Sequence, residues 1–190
     1  MKETVTKHVF QHPWDTVVQA VWRKYPNPLT KSVFGTDIVE RQINKQGILE
    51  THRLMKTKWH IPSFARALLG DQKLAYGSEH SECDPKNKTL KLNSTNITYS
   101  SLVKIDETLT YSPCADSKNR TCLSCSTKVT VNSMIPFAGY LESLVTDAIV
   151  TNTSTGQDAM EWVIEKIKTE AESAIRSMDE VLNTIHPSTL

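Results

Sequence analysis

The sequence predicts an α+β fold in which a curved seven-stranded antiparallel sheet grips one long C-terminal helix. Three features predict it. Six extended segments separated by turn-forming residues fill the region from Val33 to Ser133. One further extended segment and a short amphipathic helix precede them. After Pro136 the apolar residues recur at helical spacing and continue to do so for roughly 30 residues.

The elements follow in order. The first ten residues alternate loosely and end in Val9-Phe10, as an edge strand would. His12-Pro13 opens a helix, with Pro at the first helical position, where its missing N–H costs nothing. Trp14, Val17, Val18, Val21, Trp22 and Tyr25 share one stripe, and Tyr25-Pro26-Asn27-Pro28 ends the helix. Extended segments then run over Val33–Ile43, Ile48–Trp59, Leu74–Asp84, Thr89–Tyr99, Leu102–Tyr111 and Thr121–Ser133. With the N-terminal strand they form a meander in which every strand neighbours the next. The stretch from His60 to Gly70 is too long and too apolar for an ordinary hairpin loop, and Phe64, Ala67 and Leu68 share a helical face. It reads as a lid loop.

Over the final region, Leu141, Leu144, Val145, Ala148, Asn152, Ala159, Met160, Val163 and Ile167 fall on one helical face. At 1.5 Å per residue, Phe137 to Thr169 spans roughly 50 Å, against a domain diameter of about 40 Å. The helix therefore crosses the whole sheet, and the part beyond Glu172 overshoots the core. Asn152 interrupts the apolar stripe within Thr151-Asn152-Thr153-Ser154-Thr155-Gly156, a run of mediocre helix formers. Two readings are open: a weakly wound, solvated middle section, or a polar wall facing a buried head group.

Composition narrows the function. A chain of 190 residues with 38% hydrophobic and 23% charged residues has enough core-forming material for one domain. Lys and Arg number 22 against 21 Asp and Glu, a net charge of +1 that argues against a reader of nucleic-acid backbones. No apolar run approaches the roughly 20 residues needed to span a bilayer, and the N-terminus shows no apolar or Arg-rich targeting pattern. The five Asn-x-Ser/Thr triplets, at Asn87, Asn93, Asn96, Asn119 and Asn152, are read as chance in a Thr-rich chain. Cys122-x-x-Cys125 has no second pair to complete a zinc ribbon. All four cysteines are expected as free thiols, with a Cys114–Cys122 bridge across a short loop as the less favoured state.

No glycine-rich phosphate loop, nucleophile elbow or paired catalytic carboxylates stand out, so no catalytic residue, metal site or cofactor is assigned, and the protein is expected not to be an enzyme. The densest basic segment runs from His52 to His60. Strand parity puts His52, Lys56, Lys58 and His60 on one face and Arg53, Met55, Thr57 and Trp59 on the other. Such a run reads as a solvated face, or as one suited to an anionic membrane surface beside the apolar lid.

Several motifs occur in one order: His12-Pro13-Trp14-Asp15, Lys24-Tyr25-Pro26-Asn27-Pro28, Thr51-His52-Arg53-Leu54, Trp59-x-x-Pro62-Ser63, Ser94-Thr95-Asn96-Ile97 and Ala159-Met160-Glu161-Trp162-Val163-Ile164. Together they resemble the PRELI domain, in its slowmo (PRELI domain-containing 3) branch. That resemblance implies a START-like helix-grip fold over residues 1–171, with 172–190 as a helical extension or flexible tail. It implies a phospholipid transfer protein of the mitochondrial intermembrane space, working as a heterodimer with a small helical twin-Cx9C protein and using no cofactor beyond its phospholipid ligand. It implies phosphatidylserine as cargo, with phosphatidic acid or a non-transferring scaffold role as alternatives. By the same resemblance Lys24, Tyr25, Thr57, Lys58 and Asn152 contact the head group, and Pro62, Phe64, Leu68 and Leu69 form the lid that meets the membrane. Phosphatidic acid carriers have lysines where this chain has Thr57 and Ala148. A phosphate monoester would call for those bases, so their absence leans toward phosphatidylserine.

Overall fold

The structure, a computed structural model, describes residues 1–58 and 74–185. The lid residues Pro62, Phe64, Leu68 and Leu69 lie outside the described residues, as does the Trp59-x-x-Pro62 motif.

The architecture is the expected helix-grip: seven antiparallel strands and a long C-terminal helix. Strand β1 (Lys2–Phe10) is followed by helix α1 (Trp14–Arg23). Strands β2 (Val33–Ile43), β3 (Leu49–Lys58), β4 (Leu74–Asp84), β5 (Thr89–Asn96), β6 (Val103–Cys114) and β7 (Ser117–Val131) come next, then helix α2 (Ala138–Ile185). The sheet order is β1-β7-β6-β5-β4-β3-β2. This corrects the expectation that every strand neighbours the next. Strands β2 to β7 form a meander, but β1 pairs with β7, because α1 carries the chain from one edge of the sheet to the other. Pro13 is the cap residue with extended backbone, and the helix proper starts at Trp14.

A second correction concerns the cysteines. Strands β6 and β7 run on through the stretch expected to be a polar loop, leaving only Ala115 and Asp116 between them. A register shift at Pro113/Cys114 then brings Cys114 and Cys122 together. With their Cα atoms 5.1 Å apart, they form a disulfide. Cys83 and Cys125 are free and buried, and burial pushes both thiols up from their ordinary pKa.

Two packed cores hold α2, one near its start and one about halfway along it. Near its start, Leu141 packs with Val103, Val129, Val131 and Ile135. Farther along, Met160, Val163 and Ile164 join Phe10, Trp14, Val17, Val21, Leu90 and Tyr111. Polar links reinforce the second core: Trp14 Nε1 donates to the Tyr111 carbonyl at 3.3 Å, and His12 Nε2 lies 2.9 Å from Glu161 Oε2. Between the two clusters the helix faces the sheet without a continuous apolar seam.

That middle section is not unwound. The hydroxyls of Thr146, Thr151 and Thr153 donate to carbonyls four residues back and Ser154 to one three residues back, which satisfies them on the helix itself. The inward stripe also differs from the expected one. It passes through Ile149, Thr153 and Gly156, whereas Ala148 and Asn152 are exposed. The 3.6-residue period carries the stripe one position over in this stretch.

Candidate functional site

The hollow between the cores is a cavity of about 650 Å³, inside the usual range of small-ligand cavities. Its apolar walls include Phe10, Leu109, Leu123 and Met160, and its polar residues include Lys24, Tyr25, Thr30, Glu107, Asn152 and Thr153. A smaller cavity of about 160 Å³ adjoins it, lined by Met55, Thr57, Ile105 and Thr127, and shares Glu107 and Ile149 with it.

The Tyr-Pro-Asn-Pro element builds one wall. Asn27 is buried and acts as the clasp of this turn. Its Nδ2 donates to the Lys24 carbonyl at 2.6 Å, while its Oδ1 accepts from the backbone N–H groups of Leu29 and Thr30, each at 2.9 Å. The Tyr25–Pro26 peptide is cis. The turn presents the Lys24 and Thr30 side chains to the hollow. The Lys24 ammonium lies 5.3 Å from the centre of the Tyr25 ring. It also reaches across to α2, where a methyl group added at Gly156 would lie only 3.4 Å from Nζ. The Thr30 hydroxyl is buried and has no hydrogen-bond partner among the described residues. An orphaned donor beside a half-buried ammonium fits an anionic ligand group.

The sheet contributes a polar row that sequence reasoning missed. Arg53, Glu79, Ser94, Glu107 and Thr127 are successive register partners across β3, β4, β5, β6 and β7. Arg53 and Glu79 are buried and paired, with Arg53 Nε donating to Glu79 Oε1 at 2.9 Å. The guanidinium also sits 5.3 Å from the Trp22 ring, and Ser94 donates weakly to the other Glu79 oxygen at 3.4 Å. Arg53 is thus an internal residue rather than part of a solvated face. The period-two pattern carried the signal for Glu107: Val103, Ile105, Glu107, Leu109 and Tyr111 alternate along β6, with one acid among four apolar inward positions.

Glu107 makes only weak contacts, with Cys125 Sγ at 3.7 Å and Thr127 Oγ1 at 3.5 Å. Burial pushes its carboxyl above the ordinary glutamate range, and the Lys24 charge opposes that rise. Among the described residues neither Lys24 nor Glu107 has an ion-pair partner within 4.0 Å.

The sequence-predicted residues therefore divide. Lys24, Tyr25 and Asn152 line the main cavity, Asn152 from an exposed position. Thr57 lines the adjoining cavity, its hydroxyl donating to the Ala75 carbonyl at 3.3 Å. Lys58 is exposed and, by strand parity, lies on the opposite face of β3 with His52 and Lys56. On that outer face His52 stacks on His80, ring centres 4.0 Å apart.

Comparison with known proteins gives the geometry its context. The sequence pattern of the PRELI-like family matches residues 15–170. The protein slowmo homolog of Dictyostelium discoideum is 30% identical over 184 residues, covering 96% of this chain and 79% of that protein. The mitochondrial protein UPS2 of Saccharomyces cerevisiae is 31% identical over 168 residues, covering 87% of this chain and 73% of its own. Among solved structures, TTHA0849 of Thermus thermophilus superposes with a TM-score of 0.59 at 15% identity, over 87% of this chain and 99% of that one. The Zhui aromatase/cyclase of Streptomyces sp. R1128 does so with 0.58 at 10% identity, over 91% and 97%. At such identities these two structures establish the shared fold alone.

Proposed function

Because the chain belongs to the PRELI-like family, we propose that it carries single phospholipid molecules between mitochondrial membranes, with phosphatidylserine as its cargo. The observation that carries this reading is the hollow between the two packed cores, apolar in most of its lining, with Lys24 and the unpartnered Thr30 hydroxyl on one wall. A core built only for stability would close there, since interiors pack to crystal-like density. The name of the yeast relative supports a mitochondrial setting. Residence in the intermembrane space and a twin-Cx9C helical partner follow from the PRELI resemblance as parts of the same proposal.

The mechanism needs no covalent chemistry. The segment containing Pro62, Phe64, Leu68 and Leu69 meets an anionic membrane and opens. Acyl chains exchange one apolar surrounding for another, so their transfer changes free energy little. The head group is the costly part, because a buried unpaired charge costs several kcal/mol. Lys24, Thr30 and Asn152 replace the water that a phosphate loses, with Thr57 beneath them in the adjoining cavity. Closure then yields a particle that diffuses through water.

Replacing Lys24 by Glu reverses the charge facing the phosphate. Transfer of fluorescent phosphatidylserine between liposomes should fall at least about 100-fold, as expected for loss of a charged hydrogen bond together with added repulsion. Unchanged transfer by a folded Lys24→Glu protein would remove Lys24 from the head-group site.

A further inference from the structure

We propose that Glu107 recognises the ammonium group of an aminophospholipid while Lys24 holds its phosphate, so that this pair selects the cargo class; this rests on the carrier reading above. Among the described residues, Arg53, Glu79, Glu107 and Lys24 bring charge to the interior. Arg53 and Glu79 neutralise each other in a buried pair. Glu107 is left on the inner face of β6 with two weak contacts from β7, and Lys24 is left after α1, against α2 at Gly156. Both line one cavity, yet they are not paired with each other. Lys31 lines the same cavity from an exposed position, and a cavity holding cations and one anion at separate points is complementary to a zwitterion.

The other groups around Glu107 cannot take this role. Cys125 and Thr127 on β7 are neutral, Ser94 on β5 donates to Glu79, and the α2 residues that line the cavities, Ile149, Asn152, Thr153, Thr155 and Gln157 among them, carry no charge. Among the described residues, the cations near this site are Lys24, Lys31 at an exposed position of the cavity lining, and Arg53, which is paired with Glu79. Glu107 also borders both cavities, so a group held there has space on the side of Thr57. A phosphate monoester brings only negative charge, which Glu107 repels. Phosphatidylserine and phosphatidylethanolamine both bring an ammonium two carbons from the phosphate oxygen, and both belong to the favoured class.

The test compares lipids whose head groups differ in charge. Liposomes donate phosphatidylserine, phosphatidylethanolamine, phosphatidic acid or N-acetyl phosphatidylserine, in which the amine is neutral while phosphate and carboxylate remain. Wild-type protein should move phosphatidylserine about 10- to 100-fold faster than its N-acetyl form, the range expected for one charged hydrogen bond. Glu107→Gln should lower the phosphatidylserine to phosphatidic acid ratio by a similar factor and become indifferent to N-acetylation. Glu107→Asp should retain most of the ratio. Equal transfer of the two serine lipids by wild type overturns the assignment, as does an unchanged ratio in Glu107→Gln. Should Glu107→Gln not fold, the wild-type lipid comparison decides. Absence of all phospholipid transfer by wild type defeats the carrier reading instead, so the two failures are told apart.

Discussion

Residue by residue, the interior is organised by a few polar side chains whose partners were chosen by topology. Asn27 shapes the turn that points Lys24 and Thr30 inward. Glu107 is held away from its ordinary ionisation by burial, and this has a consequence for stability. A carboxyl whose folded pKa is raised binds its proton more tightly folded than unfolded. The native state therefore holds more protons between the two values, and stability falls as pH rises through that window. Lipid-free wild type should lose stability, relative to Glu107→Gln, as pH climbs upward from the ordinary glutamate range. Urea denaturation of both proteins across that range checks it. A difference that stays flat or grows in favour of wild type contradicts the raised value. Lys24 was legible in the sequence because it precedes a distinctive turn. Glu107 was hidden by Asp106 beside it, which makes the pair look like surface charge, although parity places Glu107 inside.

Among the elements, α2 sets the character of the molecule. It is anchored in separate apolar clusters near its start and at Met160, Val163 and Ile164, and the hydroxyl-rich stretch between them satisfies its own polar groups without needing the sheet. That arrangement lets a helix bridge a hollow and remain wound. At Gly156 it comes close to Lys24. Replacing Gly156 by Leu fills the cavity and also improves helix propensity, by about 1 kcal/mol. Thermal stability should rise by roughly 2–4 °C for a protein of this size, while bound lipid is lost. A Gly156→Leu protein that melts lower, or retains its lipid load, contradicts the view of this stretch as a cavity wall. Residues 171–182, by contrast, are exposed throughout, as expected for a helix that outruns the sheet. Helical periodicity made α2 legible. Its inward stripe was misplaced by one position around Asn152, because polar residues there erase the contrast that fixes a helix face.

At the scale of the whole molecule, the strand count, their turns and the closing helix could be read from alternation and turn chemistry. The pairing of β1 with β7 could not, since no local signal tells an N-terminal strand which edge it joins. The disulfide escaped for a related reason: Cys114 and Cys122 are matched by a register shift at the tip of a hairpin whose strands ran longer than their polar composition indicated. What emerges is a sheet and helix clamped at two places around a partly apolar hollow, with Lys24 and Glu107 at separate points of its lining. Native mass spectrometry of the full chain, purified together with the proposed twin-Cx9C partner from cells, tests that claim most directly. One phospholipid per protein is expected, with aminophospholipids dominating the released lipid. A particle whose mass equals that of the polypeptides alone, under conditions that preserve the heterodimer, would contradict it.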